Sequence, residues 1–268
     1  MIIDFHTHVF PDKIAKRTID LLSEKGNISP FSDGTVDTLT KKMKEGGVDL
    51  SVILPVLTNP SQFDSVNRFA LQINENCKLV EQRLISFAGI HPLCENIGEK
   101  MAFIKKSGFL GIKIHPDYQD TFFDDERYIE ILQYAKEYDL VAVTHAGVDI
   151  AFRDCVHCTP DRALNVIRKV GHKKLVLAHL GGSELSEEVI DKLCGEDVYF
   201  DTAFVLKYTP RETFMRMLKK HGEDKILFAT DSPWSDIKDD VEIIKSFKLT
   251  KAIEEKIFSE NAKALLGI

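Results

Sequence analysis

The residues best suited to chemistry are two histidines near the amino terminus, His6 and His8, at the end of the run Met1-Ile-Ile-Asp-Phe-His-Thr-His8. Side chains alternate along a β-strand, so both imidazoles project to the same side, about 6.6 Å apart along the backbone. Two imidazoles in this arrangement can share one metal ion through bonds of about 2.0 to 2.1 Å. A pair of surface histidines is the alternative, and the rest of the chain must distinguish the two.

The chain has 268 residues and a formal net charge of −7 at pH 7. It has no basic stripe that would indicate nucleic-acid binding, and no apolar run approaches the roughly 18 residues that span a bilayer. Its start does not resemble a signal peptide, because Asp4, His6 and His8 interrupt the apolar residues. We therefore expect a cytoplasmic protein that binds neither nucleic acid nor membranes.

The cysteines predict free thiols rather than a disulfide scaffold, because they are few, odd in number and scattered. A C-x-x-C motif at Cys155 and Cys158 has no second pair at zinc-site spacing, so we expect thiols in a loop. The five cysteines lie at positions 77, 94, 155, 158 and 194.

Eight short apolar runs recur at fairly even intervals, with amphipathic helical patterns such as residues 126–138 between them. Ser183, Thr159 and Thr209, the last two followed by proline, are predicted to cap helices. Strand followed by helix, eight times, favours one domain with a (β/α)8 TIM barrel over an open nucleotide-binding sheet, which would need a glycine-rich loop. The runs are residues 2–5, 50–56, 84–90, 110–114, 140–144, 175–178, 198–201 and 226–229.

The carboxyl ends of all barrel strands meet on one face, which is where barrel enzymes carry out chemistry. A histidine at one strand end is usually an ordinary polar residue, but a coincidence at four strands is much rarer. Histidine and carboxylate together are ligands that zinc and similar ions prefer. The predicted strands end, in chain order, in His6 and His8, Lys113 and His115, His145, His179 and Asp231.

These strand ends resemble the signatures of the amidohydrolase superfamily, and the chain is similar to the branch that includes aminocarboxymuconate-semialdehyde decarboxylase. The resemblance rests on His6-Thr-His8, Thr144-His145-Ala-Gly, Ala178-His179-Leu-Gly-Gly and Ala229-Thr-Asp231-Ser-Pro, and runs nearly end to end. It implies a homodimer and one divalent ion, zinc before others, with a bound water. The implied ligands are His6, His8, His145 and Asp231.

The resemblance also implies roles for residues beside the ion. Asp231 would exchange a proton with the water, and His179 would act as a base or polarise a substrate oxygen. Lys113 leaves two alternatives open, because binuclear members of the superfamily use a carbamylated lysine of the fourth strand to bridge a second ion. Otherwise its ammonium would bind a substrate carboxylate or an internal acid such as Asp4.

Further residues are expected to contact a small-molecule substrate, namely His115, Trp234 and His157. Specificity is expected in the loop after the fifth strand, which also carries Arg153. His172 and His221 precede strands at the opposite end of the barrel, and we expect them to be solvated.

Two reactions fit the same ligands. The first is hydrolysis of an amide, ester or lactone by a metal-activated water, and the alternative is nonoxidative decarboxylation of an aromatic or unsaturated acid. Decarboxylation needs a cation for the substrate carboxylate, and the loops after the first two strands offer no obvious arginine beyond Arg17 and Arg68. A partner subunit's Arg153 or Lys207 could substitute. A metal-stabilised binding protein is a third hypothesis, and an open metal position with a base beside it argues against it.

Overall fold

Parallel strands form the centre of the fold in the computed structural model, which describes residues 1–76 and 83–268. They pair in chain order, as β1-β2-β3 and then as β4 to β9. The strands are β1 (Ile3–Thr7), β2 (Leu50–Ile53), β3 (Arg83–Ser86), β4 (Ala88–Gly89), β5 (Gly111–Ile114), β6 (Val141–Thr144), β7 (Leu175–Leu177), β8 (Tyr199–Asp201) and β9 (Ile226–Leu227).

The sheet closes into the predicted (β/α)8 TIM barrel. β3 and β4 are two halves of the third predicted strand, interrupted at Phe87, whose N–H still donates to the Ile53 carbonyl of β2 at 2.9 Å. The first and last strands meet where the Phe5 N–H donates to the Phe228 carbonyl at 2.9 Å. Closure removes both sheet edges, so backbone groups are paired around the ring.

Helices follow the strands and cover the barrel. The apolar faces of the helices pack against the strands and form the larger of two apolar clusters. The smaller cluster consists largely of side chains at alternate positions of the strands, such as Phe5, Val52 and Val143. The helices are α1 (Asp12–Gly26), α2 (Val36–Gly46), α3 (Phe63–Asn76), α4 (Ile97–Lys106), α5 (Glu126–Glu137), α6 (Pro160–Val170), α7 (Ser186–Lys192), α8 (Arg211–His221), α9 (Ile237–Ser246), α10 (Lys251–Glu255) and α11 (Asn261–Leu266).

One of the three predicted helix caps is confirmed. The Thr159 side chain accepts a hydrogen bond from the Arg162 N–H at the start of α6. Ser183 was the wrong residue, because its backbone pairs with Gly147 and α7 begins at Ser186. Thr209 was also wrong, since its hydroxyl donates to the Val205 carbonyl and α8 begins two residues later.

His172 and His221 are buried, so the prediction that they are solvated is wrong. The His172 ring donates to the Leu140 carbonyl at 2.9 Å, and His221 donates to the Val198 carbonyl at 3.1 Å while stacking on Phe200. Burial lowers the pKa of each to about 4. An imidazole has apolar faces and one N–H, so a single backbone carbonyl can satisfy it inside the fold.

The predicted free thiols are confirmed for Cys155 and Cys158, the first exposed and the second buried, and also for Cys94 and Cys194. Cys77 lies outside the described residues. Among the described residues, every helix is too short or too polar to cross a membrane.

Candidate metal centre

His6 and His8 lie at the carboxyl end of β1, and Asp231 lies just after β9. The β1–β2 register shifts between Asp4 and Thr7, which changes how the end of β1 aims its side chains. Asp231 follows β9 with a left-handed backbone, φ +66°, which is uncommon outside glycine, and its N–H donates to the His6 carbonyl at 2.8 Å. Barrel closure therefore brings these three predicted ligands together.

The three side chains converge on one point. His6 Nε2 lies 3.1 Å from His8 Nε2, and Asp231 Oδ1 lies 3.0 Å from His8 Nε2 and 3.6 Å from His6 Nε2. Atoms that share an ion tetrahedrally at about 2.0 to 2.1 Å are about 3.3 Å apart. The observed separations match this spacing, so the cluster has the size of a metal site.

Hydrogen bonds at the opposite nitrogens fix which atoms carry lone pairs. His6 Nδ1 faces Asp201 Oδ2 at 2.9 Å, and His8 Nδ1 faces the Leu54 carbonyl at 2.8 Å. Both oxygens are acceptors, so each Nδ1 carries the proton and each Nε2 has a lone pair. Burial, and then the charge of Lys113, lowers the pKa of His6 well below its usual range, which keeps that ring neutral. Two imidazole lone pairs and a carboxylate that face one another form a donor set that fits a divalent ion.

Lys113, on β5, brings a buried positive charge to this cluster. The residue is 1% exposed, and its Nζ lies 3.1 Å from His6 Nε2. Burial lowers the pKa of Lys113 to about 8, with Asp201 and other carboxylates opposing the shift, so the amine is mostly protonated at pH 7. Lys113 therefore lies beside the ligand cluster, and its role there stays a prediction.

A second group of His115, His145 and Asp149 also brings three ligand atoms within 4.8 Å of one another. Its two imidazole rings stack, with centroids 4.4 Å apart and planes within 11°. A nitrogen lone pair lies in the plane of its ring, so two stacked rings cannot both aim at one ion. The rings of His6 and His8 are inclined by 74°, which lets their lone pairs converge. The first group is the better metal site.

His145 thus stands beside the three-ligand cluster rather than within it. Its Nδ1 lies 2.9 Å from His179 Nε2, and its Nε2 is buried without a hydrogen-bond partner among the described residues. Asp117 Oδ2 is likewise unpartnered there and lies 3.7 Å from His145 Nε2. The free nitrogen keeps His145 available for a ligand, and its place as the fourth metal ligand stays a prediction.

His179 connects the two groups. Its Nδ1 donates to the Ala203 carbonyl at 2.9 Å, so Nε2 accepts from His145, and its ring lies 5.5 Å from that of His6. His179 has a left-handed backbone, φ +59°, of the kind that recurs at functional sites. The predicted proximity of His179 to the ligand cluster is observed.

His157 and Trp234 lie farther out. His157 is buried, with Nδ1 3.0 Å from Asp117 Oδ1 and Nε2 3.4 Å from Asp120, whose side chain is exposed. Trp234 is half-buried, and its N–H donates to the Asp231 carbonyl at 2.8 Å. Neither lines the cavity described next, and substrate contact by either stays a prediction.

A cavity of about 420 Å³ adjoins His179. Its apolar wall includes Phe204, Val205 and Tyr208, and its polar wall includes Arg153 and Glu184. Pockets for small ligands measure about 300 to 1,000 Å³ and are mostly apolar with a few polar groups. The cavity therefore has the size and lining of a small-molecule site.

Asp201 is the residue that the sequence analysis missed. Its Oδ1 accepts from the His179 and Ala203 N–H groups at 2.9 and 3.1 Å, while Oδ2 holds His6. A signal for it existed, because Asp201 ends the seventh predicted strand just as Asp231 follows the eighth. The rule that selects histidines at strand ends therefore also selects Asp201.

Several solved structures share the fold with little sequence identity. A 2,6-dihydroxybenzoate decarboxylase from Rhizobium is 16% identical with a TM-score of 0.75, covering 99% of this chain and 98% of its own. A dihydroxybenzoic acid decarboxylase from Polaromonas, with bound manganese and 2-nitroresorcinol, has the same identity and TM-score and coverage of 99% and 96%. The 5-carboxyvanillate decarboxylase of Sphingomonas paucimobilis is 14% identical with a TM-score of 0.71 and coverage of 100% and 99%. At such identities the likeness shows the fold alone.

No curated protein matches the sequence significantly. The family model described as amidohydrolase matches residues 3–268, almost the whole chain, with both histidines of β1 and Asp231 inside the match. Together with the barrel fold, this match establishes that the chain belongs to the amidohydrolase family of enzymes.

Proposed function

We propose that this enzyme is a metal-dependent decarboxylase that releases CO2, without oxidation, from an aromatic or unsaturated carboxylic acid. The observation that carries the proposal is the buried ammonium of Lys113 beside the ligand cluster, because decarboxylation needs a cation that holds the carboxylate. Structural likeness to decarboxylases of aromatic acids supports it. Hydrolysis, the first hypothesis from the sequence, becomes the second candidate.

The ligand cluster and Lys113 would contact different parts of the substrate. A divalent ion bound by His6, His8 and Asp231 would supply Lewis-acid stabilisation of negative charge on a substrate oxygen. Lys113 would hold the carboxylate that is lost, since an ammonium in a dry site binds a carboxylate far more strongly than one in water. Both groups lie at the carboxyl end of the barrel, as barrel chemistry requires.

The reaction consumes one proton, because R–COO⁻ and H⁺ give R–H and CO2. The electron pair of the broken carbon–carbon bond stays on the ring or alkene carbon, which then takes the proton. Ala203 fixes the Nδ1–H of His179, so a proton held by this residue would lie on Nε2, with His145 Nδ1 then accepting from it, and the His179 ring lines the cavity. Catalysis by a positioned acid of this kind contributes about 10²- to 10⁴-fold.

Hydrolysis is favoured by one observation, the description of the family model as amidohydrolase. Asp231 would then accept a proton from the attacking water and pass it to the leaving group. The two reactions differ in product, because only decarboxylation releases CO2.

The test is product analysis with the metal-loaded protein. A panel of carboxylates, including 2,6-dihydroxybenzoate, and of esters, amides and lactones is incubated with it, and CO2 and ring products are measured. We expect CO2 in equal amount to the decarboxylated product. Turnover of an ester or lactone without CO2 would replace the proposal with hydrolysis.

Lys113→Met tests the role of the buried cation. We expect it to retain one ion per chain and to lose decarboxylation, whereas Lys105→Met, which changes an exposed lysine, should leave both unchanged. Two ions per chain in the wild type, with both lost in Lys113→Met, would instead support a carbamylated lysine that bridges two ions. Full activity of Lys113→Met would overturn the proposed role.

Three finer properties extend this proposal. Zinc as the resident ion stays a prediction, since solved structures of the same fold contain manganese. A homodimer and a cytoplasmic location are likewise predictions from the sequence.

A further inference from the structure

A thiol, an imidazole and a carboxylate meet in the loops after β5 and β6. Cys155 Sγ lies 4.0 Å from His157 Nε2, and Asp120 Oδ1 lies 3.4 Å from the same nitrogen. None of the three residues belongs to either group of metal ligands described above, and none lines the cavity beside His179. They therefore form a separate group, to which the proposed reaction assigns no role.

His157 is held in the orientation of a metal ligand. Its side chain is only 9% exposed, and the ring of Phe122 packs on it with centroids 4.9 Å apart. Asp117 Oδ1 accepts from the His157 backbone N–H at 3.2 Å and from its Nδ1–H at 3.0 Å. The lone pair is therefore on Nε2, the atom that faces Cys155 and Asp120. Histidines that bind metals almost always donate their other ring N–H to a carboxylate or carbonyl in this way.

We propose that Cys155, His157 and Asp120 bind a Zn²⁺ ion, with water as the fourth ligand. Thiolate, imidazole and carboxylate are the ligand types of zinc sites, and a thiolate favours zinc over harder ions such as Mg²⁺ or Mn²⁺. Binding displaces the thiol proton to solvent, because the thiolate is the form that binds metals. The inference is independent of the proposed function, since it needs neither the ligand cluster nor a substrate.

The two measured distances are close to those of a zinc site. Around a tetrahedral zinc ion, a sulfur ligand lies about 3.6 Å from a nitrogen ligand, and nitrogen and oxygen ligands are about 3.3 Å apart. Closing the site also brings the sulfur of Cys155 and the carboxylate of Asp120 toward each other. Cys155 is exposed and the Asp120 side chain is 99% exposed, so both can turn without disturbing the core. His157 is the fixed ligand around which they would close.

An ion at this position would link two loops, because Asp120 follows β5 whereas Cys155 and His157 follow β6. Ordering two exposed side chains costs conformational entropy. We therefore expect this site to fill after the cluster of the first and last strands, at higher metal concentration. The ion would not depend on Lys113, so it would survive in Lys113→Met, unlike an ion bridged by a carbamylated lysine.

The experiment is a titration of the full protein with Co²⁺ beyond one equivalent, under a reductant that contains no thiol. A thiolate bound to Co²⁺ gives a charge-transfer absorption band that imidazole and carboxylate ligands do not give. The cluster of His6, His8 and Asp231 contains no sulfur, so the band reports only a cysteine site. We expect the band with the second equivalent in the wild type, and its loss when Zn²⁺ is added. Cys155→Ser should lack the band, and His157→Gln should need at least about tenfold more Co²⁺.

Matched variants test the other assignments. Asp120→Asn and Asp154→Asn each remove one negative charge, and exposed Asp154 directly precedes Cys155 in the chain. We expect Asp120→Asn to weaken the second Co²⁺ about tenfold and Asp154→Asn to leave it unchanged. Cys194→Ala, which removes a buried thiol, should keep the band.

Three outcomes would overturn the inference. They are absence of the band in the wild type, a band that persists in Cys155→Ser, and equal effects of Asp120→Asn and Asp154→Asn. Circular dichroism checks that each variant is folded, and Cys155→Ser changes only one atom of an exposed side chain. Because the titration contains no substrate, its result stands apart from the test of the proposed function.

Discussion

Asparagine at position 201 should weaken metal binding although it touches none of the three clustered ligand atoms. Asp201 Oδ1 accepts two backbone N–H groups, from His179 and Ala203. In Asp201→Asn these donors will select the amide oxygen for that position, which turns the amide NH2 toward His6 Nδ1. The His6 ring must then accept at Nδ1 and carry its proton on Nε2, the atom needed for the ion.

The size of the effect follows from this change of tautomer. Loss of a partner that orients a ligating histidine typically costs 10- to 100-fold in metal affinity. This corresponds to about 1.4 to 2.7 kcal/mol of binding free energy. We expect the upper part of this range, because the substitution favours the wrong tautomer as well as removing a charge.

The assay is competition with a chromophoric chelator for Zn²⁺ and for Mn²⁺. Asp149→Asn is the matched control, since Asp149 belongs to the group of His115 and His145 and does not touch His6. Unchanged affinity in Asp201→Asn would refute the tautomer argument. A larger loss in Asp149→Asn than in Asp201→Asn would place the ion in the second group.

Two further predictions concern stability. The pKa of His172 and of His221 is about 4 in the fold, against 6.5 for a free histidine. Protonation therefore favours the unfolded chain. The contribution of the two residues to the free energy of unfolding is present above pH 6.5 and is lost as the pH falls towards 4. Between pH 7 and pH 5 the free energy of unfolding, measured with urea, should fall by about 2 kcal/mol per histidine more in the wild type than in the variant with His172→Gln and His221→Gln. Equal falls in the two proteins would contradict this. Gly147→Ala should cost about 3 kcal/mol, because its Cβ would lie 2.1 Å from the Ser183 backbone nitrogen at a φ of +84°. Gly47→Ala, with a φ of +72° and nothing within 4 Å, should cost only about 1 to 2 kcal/mol, and equal losses would refute the role of the close contact.

The cluster of His6, His8 and Asp231 was predictable because its residues obey rules that the chain itself displays. His6 and His8 alternate along a strand, and Asp231 directly follows an apolar run, so a barrel had to bring them to one face. Lys113 was predictable by the same reasoning. Neither a partner chain nor a long loop was needed to place them.

Atoms that carry no sequence signal could not be predicted. The carbonyls of Leu54 and Ala203 fix the tautomers of His8 and His179, and any residue could supply such a carbonyl. The ion pair between Arg153 and Glu184 depends on how the loops after β6 and β7 meet. Each loop contains several polar residues, and sequence spacing does not select which of them pair.

Local rules failed where tertiary contacts were stronger. Ser183 resembles a helix cap, but its N–H donates to the Ala146 carbonyl at 3.0 Å and the helix begins later. A pattern that considers only neighbouring residues cannot include a bond to a loop after another strand. His221 illustrates the same limit, because its stacking partner Phe200 is supplied by β8.

The meeting of the first and last strands has a consequence for how the enzyme matures. Asp231 follows His6 and His8 by more than 220 positions in the chain, so a growing chain cannot present the three-ligand cluster until Asp231 has been synthesised. Because the cluster is complete only when the barrel closes, metal uptake should follow folding. A bound metal ion should then link the first and last strands and stabilise the closed barrel. A chain truncated before residue 231 would lack the third ligand of the cluster. Metal content would therefore report whether a given molecule has completed its barrel.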